Sequence, residues 1–434
     1  MDRDLVALLG FVLMFALMAL RVPIGVAMGL TGILGFAALS GMGPALKLLG
    51  QVPLSVLSDY NLSIIPMFIL MGAFSAGAGM SRELFGAGIA WLGHRRGGLA
   101  LATITACGGF AAINGSSVAT AATMSQVALP EMRKAGYDPG LSAGLIAAGG
   151  TLGIMIPPSV ILVLYGIMTE TDIKQLFFAG AVPGILAMVF YTLVIVFLGW
   201  RHPESMPRGP RHSWHERFLT LRNLWATLTL FLVVLGGMYL GVFTATEAAG
   251  VGAMGALAIG LARGQLKVHQ IKETLIGSLR VSAAILTIVL GAYLFGYFLT
   301  ITQFTQNSIE FLVHLPVGAY GVLALIMVGY LILGAVMDEL AMILLTVPIV
   351  FPAMLQLGFD PVWFGVIIVM AVTFGMICPP VGMNVFVINS IATDIPLTRI
   401  YRGTFPFIAV DLVRLILLCA FPILSLWLPR TMGS

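Results

Sequence analysis

The stretch "TLGIMIPPS" (151–159) interrupts an apolar run that is long enough to cross a bilayer, and "TFGMICPPV" (373–381) repeats it far downstream. A proline removes a backbone donor and blocks the helical turn before it. Two adjacent prolines therefore break a membrane helix, and this chain makes the same break twice. The recurrence suggests that the chain contains two copies of one structural unit.

The composition of the whole chain is that of a membrane protein. It has 434 residues, of which 59% are hydrophobic and 9% are charged, against a charged fraction of about 25% in globular proteins. Apolar runs of about 20 residues recur along its length. The first run, 5–20, lacks a basic leader and a cleavage site, so we interpret it as a retained span. We therefore predict one all-α, polytopic membrane domain with about ten spanning helices.

An internal repeat accounts for the two breaks. When the sequence is compared with itself at an offset of 222 residues, 14 of the 44 positions in 130–173 are identical to those in 352–395. Coincidence between segments of similar composition is the alternative, but most of the matches are Gly, Pro, Asp and Thr. These residue types define backbone geometry and helix ends, so we expect the two copies to share a fold.

The distribution of basic residues predicts that the two copies are inverted in the membrane. Arg133 and Lys134 precede the first "GYDP" motif, whereas the equivalent second motif, "GFDP", has no basic residue before it. Cytoplasmic loops carry the excess of Lys and Arg, so the first motif should be cytoplasmic and the second periplasmic. After the breaks the bias reverses, because Arg399 and Arg402 follow the second one. Both termini should then be periplasmic.

Two segments should enter and leave the membrane on the same side as re-entrant hairpins, and each should face one of the two broken helices. Unwound backbone at membrane depth is tolerated only where it is buried or lines a cavity. Inverted repeats with interrupted helices indicate the midplane binding site of a transporter.

We predict the following organisation: scaffold helices and the start of a first arm in 1–80; a first repeat in 81–200, with a hairpin at 97–132 and a broken helix at 141–168; a cytoplasmic loop at 201–223; scaffold helices and a second arm in 224–280; and a second repeat in 281–434, with a hairpin at 316–357 and a broken helix at 362–391.

The chain resembles a known family over residues 21–407. The similar stretches are "RVPIGVAMGLTG", "IIPMFILMGAFS", "GGLALATITACGGFAAINGSSVATAAT", "LPEMRKAGYDP", "GTLGIMIPPSVILVLYG", "FTATEAAGVGA" and "TFGMICPPVGMNVFV". Together they are similar to the DctM-like large membrane subunit of tripartite ATP-independent periplasmic (TRAP) transporters, within the ion-transporter superfamily of elevator-type carriers. The chain departs from the family pattern at Ala245, Cys378 and Glu339.

The resemblance implies a protein of the bacterial inner membrane that imports small organic acids. It implies two protein partners, a periplasmic solute-binding protein and a small four-helix membrane subunit, and an elevator-type transport core held by a scaffold in the lipid bilayer. Sodium would be the coupling ion, and the chain has no phosphate-binding Gly-x-x-x-x-Gly-Lys-Ser/Thr motif. We expect no other cofactor and no nucleic-acid partner. A self-sufficient sodium/carboxylate carrier of related fold and a channel are the alternatives.

An enzymatic function is not expected. A membrane-embedded enzyme needs a nucleophile or a metal constellation, but the chain has no His-Glu-x-x-His motif and its histidines lie outside the predicted breaks. The three cysteines, at 107, 378 and 419, fit no metal-binding spacing and imply no disulfide.

Candidate ligands of the coupling ion cluster at the hairpin tips and the breaks. Hydroxyl, amide, carboxylate and freed carbonyl oxygens suit a hard cation, although Ser and Asn at such places also satisfy exposed helix ends. The predicted sodium-site residues are Asn114, Gly115, Ser116, Ser117, Thr151, Gly153, Gly334, Met337, Asp338, Thr373 and Gly375. The predicted substrate contacts are Asn384, Pro158 and Ser117.

Other polar residues are predicted to be structural. Asp411 and Arg414 stand three residues apart on the last long span and should pair. Glu247 should be a buried, hydrogen-bonding residue of the scaffold. The segment 265–281 has the pattern of an amphipathic arm along the membrane surface, with 80–91 as its symmetry partner.

Overall fold

The protein is described by a computed structural model that covers residues 3–335 and 337–432. Over these residues the fold is all-α, as predicted, and contains no β-strand, only an isolated bridge between Arg96 and Arg208. Prolines, glycines and capping side chains set the ends of many of the helices.

The first half of the chain folds into helices that end at the polar loop after residue 201. They are α1 (Arg3–Ala19), α2 (Ile24–Ser40), α3 (Met42–Ser58), α4 (Ile64–Gly77), α5 (Met80–Leu92), α6 (Gly98–Asn114), α7 (Ser117–Lys134), α8 (Pro139–Met155), α9 (Val160–Thr169) and α10 (Ile173–Arg201).

The second half continues with a short helix in the loop and a further set of apolar helices. They are α11 (Trp214–Asn223), α12 (Trp225–Phe231), α13 (Gly237–Tyr239), α14 (Ala245–Ala262), α15 (Val268–Ile301), α16 (Phe304–Val313), α17 (Gly318–Gly334), α18 (Glu339–Gln356), α19 (Pro361–Gly375), α20 (Met383–Ile391), α21 (Leu397–Ala420) and α22 (Ile423–Thr431).

Many of these helices are long and apolar enough to span a membrane. By length and composition, 7 helical segments of the described chain qualify, or up to 8 if the bent pair Trp214–Asn223 and Trp225–Tyr239 is one span. The prediction of about ten spanning helices was based on the number of apolar runs in the sequence. Interruptions such as the left-handed Gly41 (φ +87°), which separates α2 from α3, divide some of those runs into shorter helices.

The repeat is visible in the helix boundaries. The ends of α7 and α18 differ by 222 residues, and so do the starts of α8 and α19. Asp138 and Asp360 each accept a backbone N–H at these starts, from Leu141 at 2.8 Å and from Val362 at 2.9 Å. A proline follows each aspartate at the first helical position, where no backbone donor is needed. The repeated Asp-Pro motif is therefore a helix start.

Each predicted hairpin is a pair of helices, and each predicted broken helix is interrupted in the fold. The first hairpin is α6 and α7, and the second is α17 and α18. The first break, residues 156–159, separates α8 from α9, and the second break, residues 376–382, separates α19 from α20. How deeply these elements enter the membrane stays a prediction.

The predicted arm at 265–281 is not a separate element. From Val268 it is the beginning of α15, which continues without a break to Ile301. The predicted boundary at 280/281 thus falls inside one helix. At the 222-residue offset, 265–281 corresponds to 43–59, most of which is α3, whereas the predicted partner 80–91 corresponds to 302–313. Most residues of 268–281 are exposed, and their position along the membrane surface stays a prediction.

The helices pack in two groups. One group contains α8, which packs most closely on α6, α7 and α21, and the other contains α15 packed on α2 and α14 packed on α4. Glycines bring the backbones together in both groups. A Cβ on Gly144 would collide with the backbone of Gly403, and one on Gly25 would meet Thr287. Small residues at such crossings allow the close approach on which membrane helices depend.

Candidate functional site

Both hairpins contribute their tips to one cavity of about 660 Å³, called the tip cavity below. The first tip, residues 114–117, supplies residues 114–116 to the lining, and the second tip, residues 334–335 and 337–340, supplies residues 338–340. Helices α4 and α15 form the facing wall. The volume lies within the range of small-molecule sites.

The first tip is held by local hydrogen bonds. Gly115 follows the last residue of α6 with φ +69°, a left-handed conformation that favours glycine. Ser116 then caps α7 by accepting the N–H of Ala119 at 3.4 Å. The Asn114 amide donates to the Thr120 hydroxyl at 3.1 Å, and that hydroxyl donates to the Ser116 carbonyl at 2.8 Å. The turn is thereby fixed from within.

The first tip is docked on the first break. The N–H of Val160, the first residue of α9, donates to the Gly115 carbonyl at 3.3 Å. Gly153 on α8 lies directly against the tip, since a Cβ there would come within 2.7 Å of the Ser116 carbonyl carbon. Hairpin and broken helix therefore meet as one packed unit.

The second tip repeats this arrangement. The Val381 N–H in the second break donates to the Ala335 carbonyl at 3.1 Å. Gly334 and Gly375 lie backbone to backbone, because a Cβ on Gly334 would be 3.0 Å from the Gly375 Cα. Asp338 caps α18 by accepting the Leu340 N–H at 3.2 Å. The neighbouring Met337 is buried.

Thr151 and Thr373, which align in the repeat, have equivalent hydrogen bonds. Each hydroxyl donates to the carbonyl three residues earlier, Thr151 to Ala148 at 2.7 Å and Thr373 to Met370 at 2.6 Å. A hydroxyl that donates in this way keeps its lone pairs for a cation, but the same bond also serves a purely structural role. Their place in a sodium site stays a prediction.

Asp411 and Arg414 form the predicted pair at 2.9 Å, and both side chains are buried. The Tyr191 hydroxyl donates to the second carboxylate oxygen of Asp411 at 2.7 Å and lies 3.1 Å from the Thr151 hydroxyl. A buried polar chain thus runs from α21 to the helix that ends at the first break. Tyr191 could not be predicted from the sequence, because no local pattern pairs residues that stand 220 positions apart.

Asn384 bridges the two repeats. Its amide nitrogen donates to the Ala147 carbonyl at 3.0 Å and lies 2.7 Å from the Ser117 hydroxyl. Asn384, Ser117 and Pro158 are all buried, and none of them is among the described residues that line the tip cavity. Substrate contact by these three residues stays a prediction, while their observed contacts are within the protein.

The tip cavity is acidic. Asp338 and Glu339 both line it, and none of the lining residues among those described is a Lys, Arg or His. Glu339 is 8% exposed, and its Oε2 atom has no hydrogen-bond partner. An ionised carboxylate in apolar surroundings needs a cationic partner, so this cavity suits cations.

The family of the chain follows from comparison with known proteins. The sequence model of the family described as "Tripartite ATP-independent periplasmic transporter, DctM component" matches residues 11–424. The chain belongs to this family. Together with the apolar helices, membership identifies a multi-pass protein of the inner membrane and a large permease subunit of a TRAP transporter, as the resemblance implied.

Relatives of this permease include proteins named for different substrates. The C4-dicarboxylate TRAP transporter large permease of Pseudomonas aeruginosa is 37% identical over 86% of this chain and 87% of its own length. The sialic acid permease of Vibrio cholerae is 31% identical over 88% of both chains. The ectoine/5-hydroxyectoine permease of Ruegeria pomeroyi is 30% identical over 96% of this chain and 97% of its own. These relatives are transport proteins and not enzymes.

A solved structure shares the fold of this TRAP permease. The YdaH transporter of Alcanivorax borkumensis superposes with a TM-score of 0.62 over 92% of this chain and 97% of its own, at 14% sequence identity. At that identity the likeness concerns the fold alone.

A second cavity of this permease, of about 610 Å³, adjoins the tip cavity. The two share Ala76 and Thr123 as lining residues, and the second is lined further along α7 by Gln126 and Val127. It therefore extends toward the end of α7 at Lys134, the side predicted to be cytoplasmic. A third cavity, of about 840 Å³, shares no described lining residue with the tip cavity.

Two ion pairs join the repeats of the permease near the same end of α7. Arg133 pairs with Asp394 at 2.8 Å, and Arg399 pairs with Asp138 at 2.7 Å. Burial raises the pKa of Asp138, but the backbone N–H of Leu141 and the Arg399 guanidinium outweigh it and hold that pKa below its usual value. The hydrogen bond from Arg133 likewise lowers the pKa of Asp394. Both aspartates are therefore charged at neutral pH.

Glu247 has a different environment from the one expected. It is exposed, not buried, and its carboxylate accepts the Thr244 N–H at 2.8 Å while the Thr244 hydroxyl accepts the Glu247 N–H at 3.3 Å. This reciprocal arrangement is a capping box, which satisfies two orphan donors at the start of α14. The Thr-x-x-Glu spacing in "TATE" (244–247) is the sequence signal for a capping box.

Proposed function

We propose that this permease is the large transmembrane subunit of a sodium-coupled secondary importer. It would take small organic acids from a periplasmic solute-binding protein and move them by elevator-type alternating access. The observation that carries the proposal is the tip cavity, where two hairpin tips, each docked on its own helix break, meet around one space of about 660 Å³. Paired interrupted helices of this kind form midplane sites in secondary transporters.

The chemistry of the cavity accommodates an anion together with cations. The N-terminal turns of α7 and α9 contribute Val118, Ala119, Val160 and Ile161 to its lining. The positive end of the helix dipole favours a carboxylate at such places. Asp338 and the tip carbonyls supply oxygens for sodium. Simultaneous binding then couples the uptake of the acid to the sodium gradient.

The packing supports movement of one group of helices against another. Tips and breaks form one docked unit, whereas the facing wall of the cavity comes from α4 and α15, which pack with α14 and α2. The path of lining residues leads from the tips toward the Lys134 end of α7. An elevator would carry the docked unit along this wall to open the cavity on the other side.

The relatives suggest the type of substrate and the partners. C4-dicarboxylates, sialic acid and ectoine, for which the relatives are named, all contain a carboxylate. We propose the same for the substrate of this chain. Tripartite systems also require a small membrane subunit and a binding protein, and we expect both to be needed here.

Omission of single components tests this proposal. Proteoliposomes containing the chain and its small subunit should take up the isotope-labelled ligand of the cognate binding protein when loaded binding protein and external sodium are supplied. Omission of either partner should abolish uptake. Equal sodium-driven uptake by the chain alone would instead indicate a self-sufficient carrier, and sodium-independent, non-saturating flux would indicate a channel.

A further inference from the structure

Glu339 is the least satisfied charged group at the tip cavity. Its side chain lines the cavity, is 8% exposed, and leaves Oε2 without a hydrogen-bond donor. Glu339 is the first residue of α18, next to Asp338, which uses its own carboxylate to cap that helix. An ionised carboxylate in such surroundings is costly unless a cation reaches it.

Within the described part of the chain, no cationic side chain lines the cavity beside Glu339. The tip cavity has no Lys, Arg or His among its described lining residues. Whenever Glu339 is ionised, its counter-charge must therefore come from something that enters the cavity.

The other side of the cavity has the opposite preference. The first turns of α7 and α9 present Val118, Ala119, Val160 and Ile161 to the same space. These helices have 18 and 10 residues, and their N-termini favour negative charge. The cavity thus combines an anion-binding end with a carboxylate that lacks a partner.

We propose that Glu339 binds a cationic group of the transported molecule, and that the substrate is a zwitterion with a carboxylate and an ammonium or amidinium group. This inference rests on the proposed transport function, because it assigns the substrate to the tip cavity. The carboxylate would lie at the N-termini of α7 and α9, and the cationic group would pair with Glu339. A dicarboxylate would instead bring a second negative charge next to Asp338 and Glu339.

Matched pairs of small molecules test the charge preference without knowledge of the natural substrate. The chain and its small subunit are placed in nanodiscs, with the three native cysteines replaced and Ala284→Cys as the reporter, because Ala284 is exposed and lines the cavity. Thiol labelling is measured in saturating sodium with increasing L-aspartate or succinate, L-glutamate or glutarate, and 4-aminobutyrate or butyrate. Each pair differs only in one amino group.

The amino-bearing member of at least one pair should half-protect the thiol at a concentration about tenfold or more below that of its partner, because it pairs with a buried carboxylate. Glu339→Gln keeps the shape of the side chain and removes its charge. The ratio of the half-protecting concentrations of the two members of a pair should therefore fall toward one. Glu310→Gln is the matched control, since Glu310 is exposed on α16 and lies outside the tip cavity. It should leave the ratio unchanged.

Three results would overturn the inference. The first is equal or better protection by the members without an amino group, and the second is no protection by any amino-bearing probe. The third is an unchanged ratio of protecting concentrations in Glu339→Gln together with a shifted sodium requirement. That third result would make Glu339 a sodium ligand. Failure of the proposed function is a separate outcome. If the ratio of protecting concentrations depends on Glu339 but protection is independent of sodium, the inference about the substrate is supported and sodium coupling is contradicted.

Discussion

The side chain of Asp338 has two roles. Its carboxylate caps α18 and also lines the tip cavity. Asparagine caps a helix as well as aspartate does, so Asp338→Asn separates the charge from the cap. We expect the sodium concentration for half-maximal uptake to rise about tenfold or more, because a cation in a partly buried site loses its charged partner. Uptake by proteoliposomes over a sodium titration measures this shift.

Asp360→Asn provides the control for that substitution. Asp360 caps α19 in the same way, but it lies outside the tip cavity. This variant should keep the sodium requirement of the wild type. If Asp338→Asn also kept it, Asp338 would not be a sodium ligand.

The sequence predicted individual residues where the signal was local. The Asp411–Arg414 pair needed only neighbouring positions. The bridge from Asn384 to Ser117 joins residues 267 positions apart, so no periodicity could indicate it. Nor could the sequence establish that Glu339 is buried and lacks a partner, because that depends on which helices face the tip.

Among the helices and loops, the proposed transport unit requires each tip to stay docked on its break. Gly153→Ala would place a methyl group within 2.7 Å of the Ser116 carbonyl carbon, so either the tip or α8 must shift. We expect a loss of about 1–3 kcal/mol of stability, as for other overpacked sites, and a strong loss of uptake. Thermal unfolding of the purified complex and uptake at fixed sodium measure the two effects.

Gly250→Ala is the matched control at this scale. Gly250 lies within α14, and a Cβ there would meet no atom within 4 Å. The variant should be unchanged or more stable by about 0.5–1 kcal/mol, as expected for Gly→Ala in a helix. Full activity and stability of Gly153→Ala would show that tip and break are not closely coupled.

Helix boundaries were more predictable than the assignment of helices to groups. The hairpins predicted at 97–132 and 316–357 correspond to helix pairs because glycine, proline and aspartate define backbone conformation locally. The boundary predicted at 280/281 was wrong because helix continuity depends on what packs beside the helix. Here α2 packs along α15, and the helix runs on to Ile301.

At the scale of the whole molecule, the inverted orientation of the repeats makes a topological prediction. In a chain without its native cysteines, Ser213→Cys should react with an impermeant thiol reagent only from the cytoplasm, and Gln356→Cys only from the periplasm. Both positions are exposed. Gln356 is preferable to Gly358, whose φ of +84° disfavours a side chain. Labelling of both from one side would contradict the inversion inferred from the basic residues.

The repeat and its two breaks could be predicted from the sequence because glycine, proline and aspartate define them. The tip cavity could not, since its wall comes from α4 and α15, which are distant in the chain from both tips. The cavity depends on how two helix groups pack, and hydropathy contains no such information.

Sodium-driven accumulation of the ligand is the decisive test of sodium-coupled import. Proteoliposomes with the chain and its small subunit receive the loaded cognate binding protein under an inward sodium gradient, an equal inward potassium gradient, or equal sodium on both sides. We predict accumulation of the labelled ligand above its external concentration only under the inward sodium gradient, and its collapse when a sodium ionophore is added. Equal accumulation under the potassium gradient, or none above the external concentration under any condition, would contradict the account.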